Sequence, residues 1–185
     1  MVTLARPTLP DLPVFRVTCR GGRVITTQDP GRALITGKCE DAGAIVAERP
    51  KAEADALESY GMNLGIAFQL VDDALDYGGK AAKLGKNVGD DFREGKITLP
   101  VVLSFRRGSQ SERMFWSRTL EKGKVTDADL ETAIKLMTEH RALEDTIKRA
   151  HHYGEMARDA LALFPASPMK HALEEAVEFC TARTH

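Results

Sequence analysis

Apolar residues after Pro50 fall on a helical period. Ala56, Leu57, Tyr60, Leu64, Phe68, Val71 and Leu75 recur at spacings of three and four, which predicts one long amphipathic helix with Phe68 among its core residues. Lys96–Arg107 predicts a second helix, with Pro100 tolerable near its start. Ser109 and Glu112 form a capping-box pattern ahead of Met114–Leu120, and Gly123 is a natural stop. Thr126 with Asp129 opens another helix through Met137, and Ala142–Phe164 keeps the period despite Gly154. Ser167 and Pro168 supply an N-cap and a first-turn proline before Met169–Thr181. Strand alternation is nearly absent, so periodicity alone predicts an all-α helical bundle.

The first part of the chain has another character. Pro7, Pro10, Pro13 and Pro30 punctuate it, Arg6, Arg16, Arg20, Arg23 and Arg32 lie among them, and Val24–Thr27 is its one short β-branched run. Residues 1–42 are therefore expected to be an irregular, disorder-prone arm, and residues 43–185 the folded body. Arginine-rich, acid-poor composition is shared with transit peptides, but the prolines prevent a continuous amphipathic helix.

Composition narrows the function classes. A chain of 185 residues that is 43% hydrophobic can bury a core, and a formal net charge of −1 gives no reason to expect nucleic-acid affinity. No apolar run reaches transmembrane length. Cys19, Cys39 and Cys180 are odd in number and widely spaced, which implies a reducing cytoplasm and no disulfide framework. The histidines form no H-E-x-x-H pattern, and the His151–His152 pair reads as a solvated helix face.

Chemistry concentrates at the end of the long helix. Gly65–Tyr77 reads G-I-A-F-Q-L-V-D-D-A-L-D-Y, placing Asp72, Asp73 and Asp76 in an apolar stretch with no lysine or arginine between Tyr60 and Gly79. Clustered carboxylates there need compensation, and a divalent cation is the natural candidate. Asp72 and Asp76 share a helical face, with Asp73 about a quarter-turn away. Downstream, Gly78, Gly79, Gly85, Gly89 and Gly95 alternate with Lys80, Lys83, Lys86 and Arg93, and Lys96 follows. Such a basic loop can close over a polyanion. Together the segments point to a Mg2+-diphosphate site. The same residues also fit a blander reading, an acidic exposed helix face followed by a solvated loop.

G-x-x-F-Q-x-x-D-D-x-x-D-Y, followed by G-K-N-V-G-D-D-F-R-E-G-K-I-T-L-P from Gly85 to Pro100, resembles the second aspartate-rich region of trans-isoprenyl diphosphate synthases, especially the long-chain polyprenyl type. The likeness runs from about Gly43 to the C-terminus, through F-P-A-S-P-M-K-H-A-L-E-E-A-V-E-F at Phe164–Phe179. It implies a helical bundle of the isoprenoid synthase type. It also implies a Mg2+-dependent prenyltransferase that joins an allylic diphosphate head-to-tail to isopentenyl diphosphate. By the same resemblance Asp72 and Asp76 are metal ligands, Asp73 supports them, Lys86 and Lys96 contact the allylic diphosphate, and Asp90 stands in the metal's outer shell. Phe68 and Gln69 would border the reacting carbons. The family also carries a G-K-T segment whose lysine contacts diphosphate. Lys38 is its counterpart here, although Cys39 follows it and the spacing to Gly43 is shorter.

The departure from the family is as informative as the match. Before Gly43 the acids are Asp11, Asp29, Glu40 and Asp41, which form no D-D-x-x-D. The family's first aspartate-rich motif and its isopentenyl-diphosphate-binding basic residues are thus expected to be missing, and the bundle to be truncated at its N-terminal side. Two functional readings follow: a prenyltransferase incomplete as this chain alone, or a non-catalytic helical fragment or interaction subunit that keeps one half-site. Either one predicts a homodimer or association with a complementary chain, because a bundle lacking helices leaves apolar surface uncovered.

Overall fold

A computed structural model of the chain describes residues 16–18, 24–26, 44, 47–78, 88–122 and 125–183. Two strands, β1 (Arg16–Thr18) and β2 (Val24–Thr26), pair antiparallel with Val17 opposite Ile25. This hairpin departs from the expectation of a wholly irregular arm, and the β-branched run at Val24–Thr26 explains it. Among the described residues all other elements are helical: α1 (Lys51–Leu75), α2 (Asp90–Arg93), α3 (Leu99–Arg107), α4 (Gln110–Lys122), α5 (Asp127–Glu139), α6 (Ala142–Ala160), a 3-10 turn (Leu161–Leu163) and α7 (Pro168–Ala182). The chain divides into two compact units, one of Met1–Pro30 and Gly89–Ala142, the other of Gly31–Val88 and Leu143–His185.

The second unit is built on α1. Pro50 caps its start, and the Arg49–Glu53 and Lys51–Asp55 pairs, both at 2.7 Å, line its exposed first turns. Tyr60 lies at the centre of the core with Ala157, Leu161 and Val177, and Leu57, Leu64, Phe164 and Leu173 pack around them. The Tyr60 hydroxyl donates to the Leu173 carbonyl at 2.9 Å, so the one polar atom of a buried ring is satisfied. Gly154 has a packing reason. A Cβ there would stand 2.9 Å from Thr181 Cγ2 and 3.4 Å from Val177 Cγ1, so its absence lets α6 and α7 approach closely. The helix predicted to reach Phe164 ends as α-helix at Ala160 and tightens into the 3-10 turn, with the Phe164 N–H on the Leu161 carbonyl.

The first unit follows its capping signals. Ser109 and Glu112 bond reciprocally at the start of α4, the Ser109 N–H donating to Glu112 Oε2 at 2.6 Å. Thr126 and Asp129 form a complete capping box at α5. Helices α3, α4 and α5 pack pairwise, burying Val101, Leu103, Trp116, Leu130, Ala133 and Met137. The second predicted helix starts at Leu99 rather than Lys96, because Thr98 is extended and Pro100 belongs in the first turn. Residues 88–98, just before it, are more ordered than a glycine-rich loop. Gly89, at φ +78°, turns the chain into α2, and Phe92 is buried edge-on against Trp116 at 6.0 Å.

Candidate functional site

The C-terminal half of α1 carries most of the predicted residues. Gln69 donates from Nε2 to Asp73 Oδ1 at 2.7 Å, one helical turn on, and the Asp73 side chain is buried. This pair explains a polar residue in the middle of an apolar stripe. Asp72 and Asp76 are half-buried on a common face, and the helix closes there, with the Asp76 N–H on the Asp72 carbonyl at 3.1 Å and the Gly78 N–H on the Leu75 carbonyl at 3.0 Å. Among the described residues no three His, Cys, Asp or Glu side chains converge as a metal-binding group. Asp73 is turned to Gln69 and buried, while Asp72 and Asp76 are half-buried.

Phe68 is not a core residue. Its side chain is 39% exposed, and the Arg183 guanidinium lies over the ring with Cζ 4.2 Å from the centroid. The apolar period placed Phe68 inside because periodicity counts hydrophobic positions without asking what covers them. A cation from the end of α7 covers this one. Arg183 was invisible as a site residue, since an arginine at a helix C-terminus is what the helix dipole ordinarily favours. Cys180, one turn earlier, is free and buried; burial pushes its thiol pKa up, and the Arg183 charge works against that rise.

Asp90 and Lys96 belong to the first unit. Asp90 opens α2, and Arg93 joins it at 3.8 Å while reaching Asp127 at 3.1 Å. Lys96 is engaged twice, donating to Asp91 Oδ1 at 2.8 Å and lying 2.8 Å from Glu94 Oε2. Hydrogen bonds to Asp91 first and Glu94 second raise the Lys96 pKa well above its ordinary value. The Lys96 N–H also donates to the Asp91 carbonyl at 2.9 Å, so one residue fixes both ends of the lysine. Asp91 and Glu94 were not singled out in the sequence, although acids five and two positions before a candidate lysine are a usable signal. Lys38, Lys80, Lys83 and Lys86 lie outside the described residues, as do Cys19 and Cys39. His151 and His152 are exposed on α6, as expected.

Among the described residues no helix is long and apolar enough to cross a membrane. Residues 31–137 match the model of the Polyprenyl synthetase family, a match that begins upstream of Gly43. An octaprenyl diphosphate synthase of Haemophilus influenzae is 42% identical over 132 residues, 71% of this chain and 40% of that protein. A decaprenyl diphosphate synthase structure from Rhodobacter capsulatus superposes with a TM-score of 0.77 at 44% identity, over 83% of this chain and 47% of that one. A polyprenyl synthase from Caulobacter crescentus, complexed with calcium and isoprenyl diphosphate, gives 0.74 at 45% identity, over 82% and 46%. The chain thus spans less than half the length of each of these relatives. Its helices have the all-α isoprenoid synthase fold, and the chain belongs to the polyprenyl synthetase family.

Proposed function

We propose that this chain carries the second aspartate-rich half-site of a prenyltransferase that joins an allylic diphosphate to isopentenyl diphosphate. The observation that carries the reading is the alignment of Asp72 and Asp76 on one face at the end of α1, inside the segment matched by the family model. Two hard carboxylate donors with neighbouring positions left for water and phosphate oxygens suit Mg2+, and calcium in the Caulobacter crescentus relative is a cation of the same oxygen-seeking kind. Asp72 and Asp76 would hold the ion, which when bound supplies positive charge opposite a leaving diphosphate.

The remaining roles belong to the chain's own side chains. Gln69 fixes the Asp73 carboxylate on the same helix end that presents Asp72 and Asp76. Lys96, Lys86 and Lys38 contribute cationic contacts to diphosphate, and Asp90 orients water around the ion. Phe68, apolar and half-covered, borders the reacting carbons and excludes water from them. Residues 43–185 would form the C-terminal part of the synthase, working in the cytoplasm as a homodimer or with a complementary chain.

A second reading has its own support. Leu163, Met169 and Phe179 are 56%, 77% and 72% exposed in the second unit, which suits a non-catalytic fragment or interaction subunit that buries this surface on another protein. Calorimetry with an allylic diphosphate separates the two. Mg2+-dependent binding that disappears in Asp72→Ala supports the half-site. No binding at millimolar ligand leaves the interaction reading ahead.

A further inference from the structure

Two surfaces of the chain set exposed apolar side chains beside charge of opposite sign. On α7, Met169 and Phe179 are 77% and 72% exposed, and Ala172 and Ala176 are exposed between them. Spacings of three and four place these four in a stripe about 15 Å long, beside the face that Val177 and Cys180 bury. Glu175 and Glu178 are exposed along its outer edge. The cations nearby are committed: Lys170 donates to the Phe164 carbonyl at 3.0 Å, His171 lies 3.4 Å from Glu175, and Arg183 covers Phe68. The first unit shows the reverse sign. From Phe105 to Arg118 the chain has four arginines and a single acid, Glu112, whose carboxylate takes the Ser109 N–H at 2.6 Å and lies 3.3 Å from His140. Met114 is 62% exposed at this corner, with Arg118 one turn further on. Arg113 is fixed by hydrogen bonds to the Phe105 and Arg106 carbonyls, both at 3.2 Å, and Arg118 is stacked over Phe115 at 5.5 Å. Exposed methionine among ordered arginines and aromatic rings is the composition that protein interfaces favour.

We propose that these surfaces are the two halves of one head-to-tail interface, in which the α7 stripe of one copy docks on the α4 corner of a second copy. Met169 and Phe179 pack against Met114, which removes exposed apolar area on both sides. Glu175 and Glu178 come opposite Arg106 and Arg113, and this charge match selects the pairing. Two α7 stripes facing each other would bring glutamates together, and two α4 corners would oppose arginines; like charges disfavour both. The halves are different patches of one chain, so the contact is heterologous. Each added copy presents a fresh stripe and a fresh corner, and association runs on to larger species unless the rotation closes a ring. The pairing gives the exposed α7 surface an occupant and does not depend on the Asp72–Asp76 half-site.

The test is sedimentation velocity of the full chain, without ligand or metal, from micromolar to submillimolar concentration. The weight-average sedimentation coefficient of the unaltered chain should rise across that range. Phe179→Glu on the stripe and Met114→Glu on the corner should each weaken association about tenfold or more, the effect of losing one buried anchor. Mixed in equal amounts, the two variants should form a dimer and nothing larger, because one keeps its corner and the other its stripe. Molar salt should weaken association of the unaltered chain several-fold, since exposed charges are screened. A chain that is monomeric throughout would give the α7 surface to a different protein and overturn the proposal. Variants that associate like the unaltered chain, a mixture that stays monomeric, or association indifferent to salt would each overturn it as well. Where circular dichroism shows a glutamate variant unfolded, Phe179→Ala or Met114→Ala replaces it with the same expectation in the mixture. No Mg2+ or diphosphate enters the measurement, so its failure leaves the half-site reading standing.

Discussion

The Gln69 amide donates to the Asp73 carboxylate at 2.7 Å, one turn along α1, and Asp73 is the only one of the three clustered aspartates that is buried. The three-aspartate motif is thus two half-buried carboxylates and a buried, hydrogen-bonded one, in keeping with the supporting position expected of Asp73. Gln69→Leu removes this bond while keeping the apolar volume. A hydrogen bond to a charged group contributes about 1.5–3 kcal/mol. We expect the variant to lose stability of that order in urea denaturation at neutral pH, and an unchanged midpoint would show the pair to be incidental.

Gly154→Ala sets helix propensity against packing. Alanine favours an exposed helix interior by about 1 kcal/mol over glycine. Here its Cβ would meet Thr181 Cγ2 at 2.9 Å, and that side chain is held because its hydroxyl donates to the Val177 carbonyl at 3.1 Å. Overpacking costs typically about 1–3 kcal/mol. The melting temperature should fall; a rise would mean that α6 and α7 separate easily.

Asp129 makes the first unit sensitive to acid. The Thr126 hydroxyl, then Arg118 at 2.5 Å, then the Thr126 N–H hold its carboxyl down to about 2. A depressed carboxylate stabilises the fold above its unfolded pKa of about 4. That contribution fades as pH drops from there through about 2. The melting temperatures of the chain and of Asp129→Asn should differ most near pH 7 and converge toward pH 2, which a calorimetric pH series reads directly.

Lys96 is committed to Asp91 and Glu94, so an anion must compete with both for its ammonium. Replacing Glu94, the more exposed of the two, by glutamine should tighten pyrophosphate binding by a few fold, within the roughly 0–1 kcal/mol range of exposed ion pairs. Lys96→Ala should weaken it. Identical affinities in both variants would place Lys96 outside the anion's reach.

The helices were largely legible because their signals are local. Ser109 with Glu112, Thr126 with Asp129, and Ser167 before Pro168 announce helix starts through hydrogen bonds spanning three residues, and all three form. What the sequence concealed depends on residues distant in the chain. Phe68 was assigned to the core because nothing within a few turns of it reveals that Arg183 arrives from the last helix. Gly154 was an unexplained tolerance until Thr181 and Val177 supplied its reason. The short helix after Gly89 was hidden for a related cause: a left-handed glycine under Leu130 and a Phe92–Trp116 contact order a segment whose composition reads as loop.

The bond from Tyr60 to Leu173 joins residues 113 apart, and the intervening stretch from Gly89 to Ala142 belongs to the other unit. On the ribosome, α1 is therefore made long before the helix that covers it. At about 5–20 residues per second, its apolar stripe stays uncovered for on the order of ten seconds. During that interval the aspartate-bearing helix depends on chaperones, or on transient contacts, to stay out of aggregates. Slow codons placed between the two segments would lengthen the exposure and reduce the soluble yield without altering one amino acid.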